Sequence, residues 1–498
     1  MENKSLYRII SENIDETGEL PAKFSLPKQE KNAMFADGAM DGISIYHMGH
    51  SPLSETDKSK IADILMLVSD GNFEKAENEF DEFCQEHRTV GIIDDIQGCV
   101  MENRNKLNAE NIYRFSESMM KESKSAECVK VGMSILELFN LSGDDEMMEA
   151  VRTIGKSDEF TIFSVFIMRK WTNANMEILD LAKHVHGWGR IHCVDFIEPD
   201  NEEIKKWILE NGVDNHVVSA YSAIPAFEKS GMTDILKKDK LTHEEISGII
   251  KIANALLDEG PVSGISNIDN AEEMLVSIIR KASEMLPLDI CDYNRLNSLN
   301  EWLKETDNNK SEEYMNVIFS DERVHDQVKK ALADGEAVEL AKILEIPYME
   351  DVFNCIKNHF EDKFYLVSEL INDEKYTDSV LNLFEEKLPL DQIATGSADE
   401  LGLGENYKYH RINDFLVRNL GNLPGKGKKF IIAALQSPVV NNRNGALAVL
   451  NSWMESKTLA EICPEAFDLI MNIKEMEVNP DVKKKMEEIV DCNIKPLS

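Results

Sequence analysis

A chain of 498 residues with 91 Asp and Glu against 54 Lys and Arg has a formal net charge of -37, and such a sheath of carboxylates repels phosphate backbones and anionic lipid headgroups. Aromatic residues make up only 7%, and 25 Gly and 14 Pro are few for this length, too little turn chemistry for an all-β protein. The chain is also too long for one ordinary core, which leaves several compact domains or one elongated repeat array.

The start, Met1 to Asp15, lacks the basic flank and apolar stretch of a signal peptide, and no window approaches 18 uncharged apolar residues. Neither secretion nor membrane insertion is expected, and a cytoplasmic location follows. Leu6, Ile10 and Ile14 predict a short N-terminal helix. An irregular stretch to about Pro52 then carries two Asp-Gly steps, which favour turns, and Ile43 to Tyr46 is expected to be extended.

From Ser54 the pattern becomes helical. Ser54 caps a helix through Ile61, Ile64, Leu65 and Val68 that closes at Gly71, and Phe73, Ala76, Phe80, Phe83 and Cys84 recur at helical spacing behind it. Met133 to Asn140, Met147 to Ile154, Phe160 to Trp171 and Met176 to His184 repeat the grammar, with turns at Ser142-Gly143 and Thr172-Asn173. Thr242 with Glu245, and Asn270 with Glu273, read as capping boxes ahead of two further helices. The apolar stripes are broader than a coiled-coil seam and require neighbours on more than one side. The best break is Ala394 to Tyr409, with Gly396, Gly402 and Gly404. The expected organisation is an N-terminal segment 1–53, helical repeats 54–305, their continuation 306–395, and C-terminal helical repeats 396–498.

Setting Arg190 against Arg443 aligns Cys193, Val194 and Ile197 with Ala446, Leu447 and Leu450, each set just after a turn, and Val338 to Ile356 repeats the scheme around Ile346-Pro347. This pattern resembles the HEAT and armadillo families of helical repeats over roughly residues 55 to 485. The resemblance implies an all-α, α-α superhelix, a solenoid of hairpins in which each buries its apolar face against its neighbours.

One passage stands out: His184-Val185-His186-Gly187-Trp188-Gly189-Arg190-Ile191-His192, with Trp171 before it and Asp195 after. Gly187 and Gly189 are expected to form a turn that the Trp188 indole crosses. Three readings compete: histidines packed at a crowded turn, a contact surface anchored by Trp171, His184, His186, Trp188, Arg190 and His192, or a metal held by the imidazoles with Asp195. The spacing is not that of a zincin, and the contact surface is the better functional variant. Tyr46, His47 and His50 read as polar groups of a flexible tail or of a segment packed across a groove. Leu423 to Lys429 superficially resembles a phosphate loop, but Lys429 stands where a Walker loop needs Ser or Thr and no strand precedes it. The eight cysteines form no CxxC pair and read as buried, reduced thiols.

The stretch Trp171 to Trp207 also resembles bacterial proteins labelled limonene hydroxylase, a resemblance that implies a monooxygenase with a haem, flavin or iron centre. The residues carry no haem-thiolate loop, no glycine loop after a strand and no repeated Glu-x-x-His set, so no cofactor is expected. The function expected is an intracellular scaffold or adaptor that binds a protein, favouring a basic one, with no nucleic-acid or membrane partner. Two alternatives stand beside it: an enzyme with a site in the superhelix groove near the HVHGWGRIH turn, and a structural subunit of a larger assembly.

Overall fold

A computed structural model describes residues 4–27, 35–49, 52–260, 262–454 and 457–494, and among them every regular element is helical. The single β contact among the described residues is an isolated parallel bridge between Glu400 and Val439. The chain divides into two compact units, Met1–Val317 and Ile318–Ser498.

The first unit opens with α1 (Leu6–Asn13) and α2 (Ala39–His47), followed by α3 (Glu55–Ser69), α4 (Phe73–Cys84), α5 (Ile93–Asn103), α6 (Ala109–Glu122) and α7 (Ala126–Leu136). Next come α8 (Asp145–Gly155), α9 (Thr161–Met168), α10 (Ala174–His184), α11 (Trp188–Phe196), α12 (Glu202–Asn211) and α13 (Ala220–Lys229). The short α14 (Met232–Ile235) precedes α15 (His243–Leu256), α16 (Ala271–Ser283) and α17 (Ile290–Glu305). Alternate helices pack on one another in chain order: α3 on α5, α5 on α7, α7 on α9, α9 on α11, α11 on α13, α13 on α15 and α15 on α17. This row holds the core. Cys128 to Leu136 of α7 are all buried, as are most of α9 and α11, because helices with apolar residues on most faces are stable only when surrounded. Their partners α6, α8 and α10 bury one face each, for example Ile112, Phe115 and Met119 of α6. Each fully buried Leu, Ile or Phe contributes about 1.5–3 kcal/mol.

Local signals set several helix ends. The Ser54 side chain accepts the Asp57 N–H, and Thr242 with Glu245 forms the reciprocal capping box. Two expectations fail. Asn270 sits in the left-handed region at φ 55° and its side chain caps nothing, so the second capping box is absent. Ile43 to Tyr46 is helical within α2 rather than extended, because a tertiary contact described below outweighs the two Asp-Gly steps. His50 lies outside the described residues.

In the second unit the helix Lys408–Arg418 packs on both Lys428–Leu435 and Val440–Trp453. The glycine-containing segment before it is bonded to the chain at 436–440: Gly396 N–H donates to the Gln436 carbonyl at 2.8 Å, and Val440 N–H to the Glu400 carbonyl at 3.1 Å. All eight cysteines are free thiols, and six of them are buried. No described helix is long and apolar enough to cross a membrane.

Candidate functional site

The HVHGWGRIH passage is the joint between α10 and α11, and the structure explains its glycines. The turn is Val185 to Gly187; Gly189, expected in the turn, lies inside α11. Asp158, just before α9, offers its carboxylate to the start of α11 and accepts the Gly189 N–H at 2.9 Å. A helix N-terminus favours such a negative charge, although burial pushes the Asp158 carboxyl up to about 6. A Cβ at Gly187 would lie 2.3 Å from Asp158 Oδ2 and one at Gly189 2.4 Å from Thr161 Oγ1, so only glycine admits this approach.

Arg190 holds the joint from inside. Its Nε donates to the carbonyls of Ala182 and Val185, and its Nη1 to that of Asp214 at 3.0 Å, while the Trp207 ring lies 5.8 Å from the guanidinium. Arg190 Nη2 can only donate, so the His186 Nδ1 that faces it at 3.2 Å accepts. The same ring places Nε2 3.3 Å from Glu19 and stacks on His216. His184 turns its Nδ1 to the Asp180 carbonyl, and its ring packs near Gly18. Trp171 lies buried under the Arg152 guanidinium at 5.2 Å. The three imidazoles therefore do not meet: His184 and His186 face the turn at 15–19, whereas His192 points into the core. Among the described residues no set of three His, Cys, Asp or Glu side chains is placed to hold a metal ion.

Trp188 and His192 belong to a different constellation, formed with α2. The Trp188 indole lies against Gly42, where a Cβ would come within 2.1 Å of the ring, and Gly38, at φ +75°, passes the Asp158 carbonyl so closely that a Cβ would lie 2.4 Å from it. Both Asp-Gly steps thus serve close contact of the α2 segment, one with Asp158 and the other with Trp188 of α11. Ala39 joins Trp188, Ile191 and Tyr221 in one apolar cluster, with Tyr46 packed against it. His47 Nε2 lies 2.7 Å from the Tyr221 hydroxyl. His192 stacks under Tyr46 with ring centroids 6.4 Å apart, and neither of its nitrogens has a hydrogen-bond partner. Burial alone lowers His192 to about 4, so it is neutral. Burial raises the Tyr46 phenol, and the neighbouring Asp195 carboxyl adds to the rise.

The residue that sequence reasoning passed over is Lys130. It is fully buried in α7 and pairs with Asp41 of α2 at 2.7 Å, Glu127 at 3.1 Å and Glu159 at 2.6 Å. Arg88 adds a second cation, 3.4 Å from Asp41 and 3.2 Å from Glu127. Burial works against the ammonium, but the three carboxylates outweigh it and hold Lys130 well above its ordinary value. The carboxylates divide among themselves. Burial opposes ionisation of Glu127, yet Lys130, the Thr89 N–H and Arg88 hold it down at about 2. Burial lifts Asp41 to about 6 against the pull of Lys130, with Glu127 and Glu159 adding to the rise. A lysine in the apolar run Cys128-Val129-Lys130-Val131 was the available signal, since an unpaired charge there would cost several kcal/mol. A cavity of about 860 Å³ opens beside this cluster, lined by Leu6, Leu26, Met40, Cys84, Arg88 and Glu159 among others.

No protein-family model, curated protein or solved structure matches the chain.

Proposed function

We propose that the chain is a protein-interaction scaffold working inside the cell, built as a HEAT- or armadillo-like superhelix and offering its surface to a basic partner protein. The observation that carries this reading is the row of alternate helices from α3 to α17, each packed on the next in chain order. Stacking of this kind builds long continuous faces suited to holding another polypeptide. The net charge of -37 favours a cationic partner and makes association depend on salt. The joint between α10 and α11 fits the same reading, because Arg190 of α11 donates to the carbonyls of Ala182 and Val185 and so ties the two successive helices together.

Affinity capture from cell extract, identification of the retained polypeptide, and titration of that purified partner against the full chain test the proposal. The expected result is saturable binding that weakens by about tenfold or more between low and high salt. Binding indifferent to salt would remove the electrostatic part, and the lack of any polypeptide that binds saturably would overturn the whole.

A second reading, an enzyme with its site near the HVHGWGRIH turn, draws on one observation: Tyr46, His192 and Asp195 are buried titratable groups lying together, as groups at catalytic sites often are. Burial accounts for the largest part of each shift without any chemistry.

A further inference from the structure

Helix α2 covers a part of the first unit that is crowded with ionisable groups. Of its nine residues only Ala39, Asp41 and Gly42 are buried, while Ile45 and, just past the helix end, Met48 are exposed. Lys130 of α7 lies 2.7 Å from Asp41, 3.1 Å from Glu127 and 2.6 Å from Glu159, and Arg88 lies 3.4 Å from Asp41 and 3.2 Å from Glu127. Glu159 also accepts the Gly38 N–H at 2.7 Å, at the start of α2. Beside it Asp158 faces the N-terminus of α11, with Asp37 and Arg190 near enough to act on its charge. Under the far end of α2, His192 stacks beneath Tyr46, Asp195 adjoins the Tyr46 phenol with Lys229 behind it, and the Tyr221 hydroxyl lies 2.7 Å from His47.

The charge balance makes this seat sensitive to protons. Glu127 and Glu159 already balance Lys130 and Arg88, so Asp41 adds a third carboxylate to the same two cations when α2 is down, and leaves a balanced group behind when α2 lifts. A buried carboxylate in surplus is relieved by a proton as well as by a cation. Burial, with Glu127 and Glu159 adding to it, raises Asp41 to about 6 against the pull of Lys130. Burial also raises Asp158 to about 6 and lifts Asp195, and α2 helps to cover both, through Gly38 at the one and Tyr46 at the other. His192 works the other way: neither ring nitrogen has a hydrogen-bond partner, and burial lowers it to about 4, so a proton there favours the lifting of Tyr46. Its share is the smaller, because α11 keeps α9, α10 and α13 packed around it when α2 moves, whereas Asp41 passes from the cluster into water entirely.

We propose that α2 is a proton-dependent latch: it closes more tightly on α7 and α11 as the pH falls from 7 to 5, by carrying a proton from solvent into the three-carboxylate cluster around Lys130, and it loosens as the pH rises. Gly42 meets the Trp188 ring as a flat contact with no side chain of its own to interlock, so α2 can part from α11 without repacking the helices beneath. A loosened latch uncovers the Trp188 face and Tyr221, and leaves Lys130, Arg88, Glu127 and Glu159 as a balanced group. The latch stands apart from the scaffold reading and holds whether or not the chain binds a basic partner.

The test is hydrogen exchange of the full wild-type chain at pH 5 and pH 7, with each rate corrected for the intrinsic effect of pH and referred to the amides of α7, so that an effect on the whole unit cancels. The α2 amides are expected to open separately from those of α7. Their relative protection should rise about tenfold from pH 7 to pH 5, the change produced by a carboxyl at about 6 when docked and at its ordinary value when released. In Asp41→Asn the rise is expected to disappear, and in His192→Phe to steepen. α2 amides that exchange only together with those of α7 overturn the proposal. So does a relative protection that stays flat or falls between pH 7 and pH 5, or a folded Asp41→Asn chain that keeps the full rise. The wild-type slope decides by itself if a variant fails to fold.

Discussion

Lys130 in the first unit and Arg443 in the second are both fully buried cations, yet they are neutralised differently. Arg443 has one carboxylate, Glu477, at 2.8 Å with both side chains wholly enclosed, and it donates to the Ser437 and Ala398 carbonyls at 2.7 and 2.8 Å. Lys130 has three carboxylates, one of them brought by α2. The one-to-one pair behaves as a lock: remove either member and the other is a buried, unpaired charge. The crowded cluster behaves as a joint, where one carboxylate can leave and the remainder still balance. Counting charges around a buried cation therefore separates a contact in which each charge depends on one partner from one in which several carboxylates share the load.

The largest effect should come from removing the centre of the joint. Lys130→Met leaves three buried carboxylates with only Arg88, and a loss of about 5 kcal/mol at neutral pH is expected in urea denaturation, recovered in part as acid protonates the carboxylates. A Lys130→Met protein as stable as the wild type would mean that the cluster is hydrated and the contrast with Arg443 is false. Glu477→Gln should cost about 3 kcal/mol, because Arg443 keeps its carbonyl acceptors but loses the carboxylate paired with it.

The third prediction sharpens the comparison with a buried group that has no partner at all. His192, lowered to about 4, binds its proton in the unfolded chain before it does in the folded one. Its stabilising contribution is complete above about pH 6.5 and is lost as the pH falls toward 4, by about 3 kcal/mol. His192→Phe should abolish that slope, and an unchanged acid limb of the stability profile would show that the ring is not buried and neutral. Asp41 has the opposite sign. With its carboxyl raised to about 6, the folded chain takes up the proton first, so stability due to this residue is greatest below about pH 4 and is lost as the pH rises through 6. Asp41→Asn should remove this dependence, and the wild type should therefore gain on the variant on acidification from pH 7 to 5.

What could be read from the residues was what local chemistry decides. Ser54 and the Thr242-Glu245 pair announced their helix starts, and aligning Arg190 with Arg443 picked out two arginines that each lie buried near the start of a helix and donate to carbonyls of the preceding turn. The residues aligned after them, from Cys193 to Ile197 and from Ala446 to Leu450, supply the expected buried positions. What could not be read was decided at a distance. Gly38 and Gly42 look like turn residues, and only the Asp158 carbonyl and the Trp188 ring, each more than a hundred positions later, make them contact residues at the start of a helix. Asn270 has the right residue type for a cap and the wrong backbone. Among the six residues expected to make one contact surface, Trp171 packs under Arg152, His184 and His186 face the turn at 15–19 with Arg190 behind His186, and Trp188 and His192 share a surface with α2, because side-chain direction on a helix scatters neighbours in sequence to different faces. Lys130 was passed over because, in a chain this rich in charge, a lone lysine reads as solvated despite its apolar neighbours.

The smallest expected effect is also the most telling. Urea denaturation at neutral pH, run side by side on Asp41→Asn and Glu477→Gln with the transition of each unit followed, compares the joint with the lock directly. If Asp41 is the surplus carboxylate, its variant stays within about 1 kcal/mol of the wild type while Glu477→Gln loses about 3 kcal/mol. An Asp41→Asn protein destabilised as much as Glu477→Gln would make α2 an integral part of the core and contradict the account.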